Sequence, residues 1–138
     1  MDEGNEILLD AARRYFEGDI YALIEEYYKT VAQVAEKTGA TIIGHFDLIS
    51  KFSETGKLFD DQNPRYIAAW QAAADRLLKA GIPFEINTGA ISRGYRTTPY
   101  PAAPIREYLR SRGAQFLLSS DSHRAQTLCF GFDRWQNP

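Results

Sequence analysis

The sequence contains few of the residues that form disulfides or imidazole-rich metal sites. Its 138 residues include one cysteine, Cys129, and two histidines, His45 and His123. A single cysteine excludes an internal disulfide and is typical of a reducing compartment, so we expect a cytoplasmic location. A catalytic Cys129 thiol is the alternative, but the one histidine near it in the sequence, His123, is itself a candidate ligand.

The chain also lacks a charge excess and long apolar runs. Its formal net charge is -2, which gives no electrostatic footprint for nucleic acid or for an anionic membrane surface. No apolar run approaches the ~20 residues that span a bilayer. We therefore expect a single domain over residues 1–138 with neither nucleic acid nor membrane as a partner.

Apolar periodicity predicts helices and strands in alternation. Helical spacing covers residues 3–16, 19–37, 64–80 and about 102–113, and strands are predicted over 40–44, 82–86 and 115–119. Asp19 and Asn63 are the expected N-caps, and Gly39 is the expected C-cap. The connections 45–63 and 87–101 and the tail from Gly131 are predicted to be irregular, with a short helix after Ser122. This order favours an α/β fold with a parallel sheet covered by helices.

Each predicted strand ends in two polar residues spaced i, i+2. The pairs are His45 and Asp47, Glu85 and Asn87, and Asp121 and His123. In an extended chain such side chains point the same way, and the carboxyl ends of parallel strands meet at one edge of a sheet. Because carboxylate and imidazole together are common divalent-metal ligands, we predict a metal site at this edge.

Simpler interpretations of the same residues stay open. His45 alone is typical of a hydrogen-bonded turn, and Asp121 alone is typical of a helix cap. Glu85 is as well suited to pairing with a buried cation. Lys51 and Arg93, in the two long connections, have the alternative of being solvated surface charges.

Three segments together resemble the histidinol-phosphate phosphatase branch of the PHP (polymerase and histidinol phosphatase) superfamily. They are Gly44-His45-Phe46-Asp47-Leu48-Ile49 with Lys51-Phe52, then Glu85-Ile86-Asn87-Thr88-Gly89 with Arg93-Gly94 and Pro99-Tyr100-Pro101, and Ser119-Ser120-Asp121-Ser122-His123. The stretch from Gly18 to Tyr28 is similar to the helix that precedes the first of them. The three motifs occur in the family's order and span most of the chain.

The resemblance implies a fold, a reaction and a role for each residue. The fold is a distorted (β/α)7 barrel, of which this chain is a carboxyl-terminal portion. The reaction is metal-dependent phosphomonoester hydrolysis in histidine biosynthesis, with up to three Zn, Mn or Fe ions and a small phosphorylated substrate. His45, Asp121 and His123 are the implied catalytic metal ligands, and the implied substrate-binding residues are Lys51, Arg93, Glu85 and Asn87. Asp47 would orient the His45 ring from behind.

The family's early His-x-His cluster and further ligands are absent from this sequence. With two histidines the chain supplies only part of the ligand set, so we expect it to be inactive or nearly so by itself. Two alternatives follow from the gaps. One is a non-catalytic remnant that binds metal or anion, or an assembly module. The other is a homo-oligomer that completes the site between copies, because a three-stranded parallel sheet has exposed edges.

Overall fold

The computed structural model describes residues 3–51 and 58–135 of the chain. Six α-helices are present in this part: α1 Glu3–Tyr15, α2 Ile20–Thr38, α3 Pro64–Lys79, α4 Gly89–Ser92, α5 Ala103–Ser111 and α6 Phe132–Trp135. Two strands, β1 Phe84–Asn87 and β2 Phe116–Ser119, and two 3₁₀ turns, Leu48–Ser50 and Ala125–Thr127, complete it. The fold is a mixture of helix and sheet, and the four long helices and the second and third predicted strands occur in the predicted order.

The predicted caps at the ends of the long helices are confirmed. The Asp19 carboxylate accepts hydrogen bonds from Tyr21 N and Ala22 N at the start of α2. Gly39 ends α2 in the left-handed conformation, with φ +70°. The Asn63 side chain accepts from Arg65 N at the start of α3, where Pro64 occupies the first turn. These local signals fix the helix ends because they satisfy amide groups that lack intrahelical partners.

The sheet is parallel, as predicted, with β1 next to β2. Phe84 pairs with Phe116 and Asn87 pairs with Ser119, so both strands end at the same edge. On the other side of β1, Ile43 forms a single parallel bridge to Phe84. The carboxyl ends of the three predicted strands therefore lie side by side at one edge of the sheet, which we call the rim.

The prediction of a regular strand over 40–44 is wrong, because only Ile43 joins the sheet. Ile43 N donates to Pro83 O and Ile43 O accepts from Glu85 N. The next bond of this ladder towards the N-terminus would need the amide N–H that Pro83 lacks. Beyond Ile43 the ladder also stops, because His45 N donates to the Glu85 carboxylate and Asn87 pairs with Tyr100 instead.

The helices cover one face of the sheet. Phe84 and Ile86 of β1 are fully buried, and Phe84 packs edge-on against Phe46 with the ring centroids 5.6 Å apart. The opposite face carries Glu85 and is less covered, with Leu117 48% exposed. Since strand side chains alternate between faces, one face of the sheet packs in the core, and the other face carries Glu85 next to the rim.

The segments predicted to be irregular contain two short helices. In the connection 87–101, α4 forms because its prolines begin only at Pro99 and do not restrict residues 89–92. In the tail, α6 forms where the Trp135 ring packs over the Arg106 guanidinium, 5.1 Å from it. A 3₁₀ turn at Ala125–Thr127 takes the place of the short helix expected after Ser122. Phe52 and the tail residues 136–138 lie outside the described residues.

No helix in the part of the chain that the structure describes combines the length and apolarity needed to cross a bilayer.

Candidate active site at the sheet rim

Glu85 connects the first two strand ends at the rim. Its carboxylate accepts a 2.7 Å hydrogen bond from His45 N and a 3.1 Å bond from the Asn87 amide. A Cβ on Gly44 would lie 3.2 Å from the Glu85 Oε2 atom, so a glycine permits this close approach. Glu85 thus holds the main chain of His45 beside β1, which is a contact that the i, i+2 pattern did not indicate.

Asn87 and Gly89 continue the network towards β2. The Asn87 side-chain oxygen accepts from Gly89 N at 2.9 Å. A Cβ on Gly89 would lie 3.0 Å from that oxygen, 3.0 Å from Asp121 Cβ and 2.8 Å from Arg93 Nη2. The three side chains therefore surround Gly89 closely, which brings the second and third strand ends together.

Arg93 holds Asp121 by two hydrogen bonds. Its Nη1 donates to the Asp121 main-chain oxygen at 2.9 Å, and its Nη2 lies 3.1 Å from Asp121 Oδ2. The bond to Oδ2 orients the carboxylate and neutralises part of its charge, and the bond to the main-chain oxygen fixes the backbone beside it. Arg93, predicted to bind substrate, contacts the predicted ligand Asp121 directly.

The Asp121 and His123 side chains lie close together, although the backbone between them is not the extended chain that their spacing was taken to imply. Asp121 Oδ1 lies 3.8 Å from His123 Nε2, and the His123 side chain is 72% exposed. Asp121 adopts φ +45° and His45 φ +28°. Left-handed backbone is unusual outside glycine and costs conformational energy, and it is enriched at functional sites.

Two donor atoms at the rim can be compared with the spacing of ligands in a metal site. At metal–ligand distances of about 2.1 Å, two donors of a tetrahedral site are roughly 3.4 Å apart, close to the 3.8 Å between Asp121 Oδ1 and His123 Nε2. Within residues 3–51 and 58–135, however, no three His, Cys, Asp or Glu side chains are grouped so that they could hold a metal ion. His45 is placed at the rim by its main chain and does not join Asp121 and His123 in such a group.

A cavity of about 400 Å³ opens beside His123, and we call it the rim cavity. Its lining comprises Ser92, Arg93, Tyr95, His123, Arg124 and Thr127. The Lys51 ammonium lies 4.3 Å from the centre of the Tyr95 ring, so Lys51 is also close to this cavity. Among the described residues, the lining combines cationic and hydroxyl groups without a carboxylate, which suits an anionic ligand.

Asp47 has a structural position that differs from the role implied by the resemblance. It is fully buried, and its Oδ2 accepts from Ala102 N at 2.9 Å and lies 3.7 Å from Arg96 Nη1. Burial raises the pKa of the Asp47 carboxyl, and the Arg96 charge opposes that shift. Among the described residues it makes no hydrogen bond to the His45 ring, so it ties two loops together rather than orienting that ring.

Sequence reasoning missed Arg124 and Tyr95 as lining residues. Arg124 directly follows His123, and this adjacency was the available signal. Tyr95 lies between Arg93 and Arg96 in a connection whose path the sequence could not predict.

No family model matches the chain. The chain is 32% identical over 104 residues to a protein of Schizosaccharomyces pombe named probable histidinol-phosphatase. The matched region covers 73% of this chain and 33% of that protein, so the chain spans about a third of the length of the curated relative it matches. The similarity indicates a relationship to a protein named as a histidinol-phosphatase.

Proposed function

We propose that the rim belongs to a metal-dependent phosphomonoester hydrolase whose substrate is a small phosphorylated molecule of the histidinol phosphate type. The observation that carries the proposal is the convergence of Asp121 and His123 beside a cavity with a cationic lining. The similarity to a protein named probable histidinol-phosphatase supports the substrate class. The proposed enclosing fold is part of a (β/α)7 barrel, and two parallel strands with a bridged third segment are compatible with it.

Asp121, His123 and His45 are the proposed metal ligands. A bound Zn, Mn or Fe ion would neutralise phosphoryl charge and lower the pKa of a coordinated water. Asp121 Oδ1 and His123 Nε2 are near enough to share one ion. His45 would have to bring its side chain to them from the neighbouring strand end.

The other rim residues prepare these ligands and the substrate. Glu85 fixes the backbone of His45, and Asn87 bonds both Glu85 and the start of α4. Arg93 keeps the Asp121 carboxylate in one orientation. Positioning of this kind contributes to catalysis because the charged groups do not have to reorganise during the reaction.

We further propose that this chain alone turns over substrate slowly or not at all. Catalytic metal sites usually need three protein ligands per ion, and the described residues bring two together. This same observation favours the alternative function, in which the chain binds a metal or an anion without catalysis or acts as an assembly module. Completion of the site by another copy in a homo-oligomer is the remaining option.

Phosphate release from L-histidinol phosphate tests these proposals. The assay compares the wild-type chain with and without Mn²⁺, Zn²⁺ or Fe²⁺, and uses His123→Gln as the matched variant. We expect at most a trace of release that requires metal and disappears in the variant, together with substrate binding that the metal strengthens. Robust turnover would contradict the proposal that the metal site of this chain is incomplete. Substrate affinity that is the same with and without metal, and the same in wild type and His123→Gln, would contradict the proposed function.

A further inference from the structure

The two arginines that line the rim cavity differ in what they already bind. The Arg93 guanidinium is engaged by Asp121 through both Nη atoms, and its side chain is 29% exposed. The Arg124 guanidinium has neither a hydrogen-bond partner nor an ion-pair partner in the described segments. Because Arg93 already bonds Asp121, Arg124 is the arginine of this lining whose guanidinium is available to a ligand.

The backbone around Arg124 is fixed by hydroxyl groups. Ser122 Oγ and Thr127 Oγ1 both donate to the Arg124 main-chain oxygen, at 2.5 and 3.0 Å. The two hydroxyls also lie 2.8 Å apart, which closes the turn from residue 122 to residue 127. Arg124 is thereby held at the cavity wall by its backbone while its side chain stays uncommitted, and such preorganisation reduces the entropic cost of binding.

We infer that Arg124 is the side chain that binds the phosphoryl group, and that Arg93 is a positioning residue for Asp121. The inference rests on the proposed function and adds to it a residue that the sequence pattern did not assign. The planar guanidinium of Arg124 suits two phosphoryl oxygens of a dianionic monoester. The volume of about 400 Å³ is within the range of small-ligand sites.

Titration of the metal-free chain with inorganic phosphate tests the inference without requiring turnover. The readout is the arginine side-chain Nε–Hε resonances in nitrogen-15 NMR spectra. Arg124→Lys identifies the Arg124 resonance by its loss. We expect this resonance to shift as phosphate saturates, and the Arg93 resonance to shift less because Asp121 already occupies that guanidinium.

Three variants complete the experiment. Arg124→Gln should weaken phosphate binding about tenfold or more, the usual value of a charge-assisted hydrogen bond, and Arg124→Lys should restore part of it. Arg13→Gln removes the same charge from an exposed position on α1, so it should change binding by less than about twofold. Arg93→Gln should weaken phosphate binding less than Arg124→Gln does, but it should lower Mn²⁺ affinity by freeing Asp121.

Failure of the inference and failure of the proposed function give different results. If Arg124→Gln binds phosphate like the wild type while Mn²⁺ still binds through His123, Arg124 is not the phosphate ligand and the proposed function stands. If the wild-type chain binds neither phosphate nor Mn²⁺, the proposed function fails and the inference fails with it. A larger loss of phosphate affinity in Arg93→Gln than in Arg124→Gln would show that Arg93, and not Arg124, is the main phosphate-binding residue.

Discussion

Replacement of Gly89 by alanine tests whether the second and third strand ends meet as the structure places them. The new Cβ would lie 2.8 Å from Arg93 Nη2, 3.0 Å from Asn87 Oδ1 and 3.0 Å from Asp121 Cβ. The end of the Arg93 side chain can move, but the Asp121 Cβ and the hydrogen-bonded Asn87 amide are held by backbone. The rim must therefore open to accept one methyl group.

The expected magnitude comes from two opposing terms. Overpacking of this kind costs about 1–3 kcal/mol. Alanine gains up to about 1 kcal/mol over glycine in a helix, although α4 has only four residues and gains less. The net prediction is a loss of roughly 1–2 kcal/mol in the free energy of unfolding, or about 3–8 °C in Tm for a domain of this size.

Chemical and thermal denaturation followed by circular dichroism measure the effect, with Gly44→Ala as the matched control. A Cβ on Gly44 would meet only the carboxyl end of Glu85 at 3.2 Å among the described atoms, and that end can shift. Gly44→Ala should therefore cost less than Gly89→Ala. A Gly89→Ala chain as stable as the wild type, or more stable, would show that Asn87, Arg93 and Asp121 do not surround this position.

Three further predictions concern the elements that support the rim. Asp47→Ala should lower the free energy of unfolding in urea by about 3–5 kcal/mol, because it removes the carboxylate beside Arg96, whose side chain is 3% exposed. A loss below about 1 kcal/mol would contradict the buried pair. Asn63→Ala should cost about 1 kcal/mol in the same assay through loss of the α3 cap, and an unchanged midpoint would contradict it. Hydrogen bonding to Arg65 lowers the pKa of Asp19 in the folded chain. The Asp19 carboxylate therefore contributes fully to the free energy of unfolding above its ordinary pKa of 3.8, and this contribution is lost as the pH falls through the lowered pKa. The unfolding free energies of wild type and Asp19→Asn should thus differ at neutral pH and converge in acid, and a constant difference would refute this linkage.

The long helices could be predicted from the sequence because their ends are coded locally. Asp19, Gly39 and Asn63 each act on neighbouring amides, so spacing alone locates them. The order of the parallel strand segments also follows from alternation. By contrast, the loss of the first strand depends on Pro83 of another segment, which lacks the amide that the ladder needs.

The candidate site was predictable in part for a similar reason. The order of the strands placed Asp121 and His123 near the rim, but the two side chains meet through the left-handed backbone of Asp121 and not through the extended chain that the i, i+2 argument assumed. The pairing of Arg93 with Asp121 joins residues 28 apart in sequence, and it depends on how the end of α4 lies beside the loop that follows β2. A resemblance transfers roles to positions but does not show contacts, so Asp47 was expected beside the His45 ring and lies with Arg96 instead.

Calorimetric titration of the chain with Mn²⁺ tests the central claim most directly. The account predicts one site in which Asp121 and His123 share the ion, so Asp121→Asn and His123→Gln should each abolish the binding heat while Arg13→Gln retains it. Absence of binding in the wild-type chain, or binding that survives both substitutions, would contradict it.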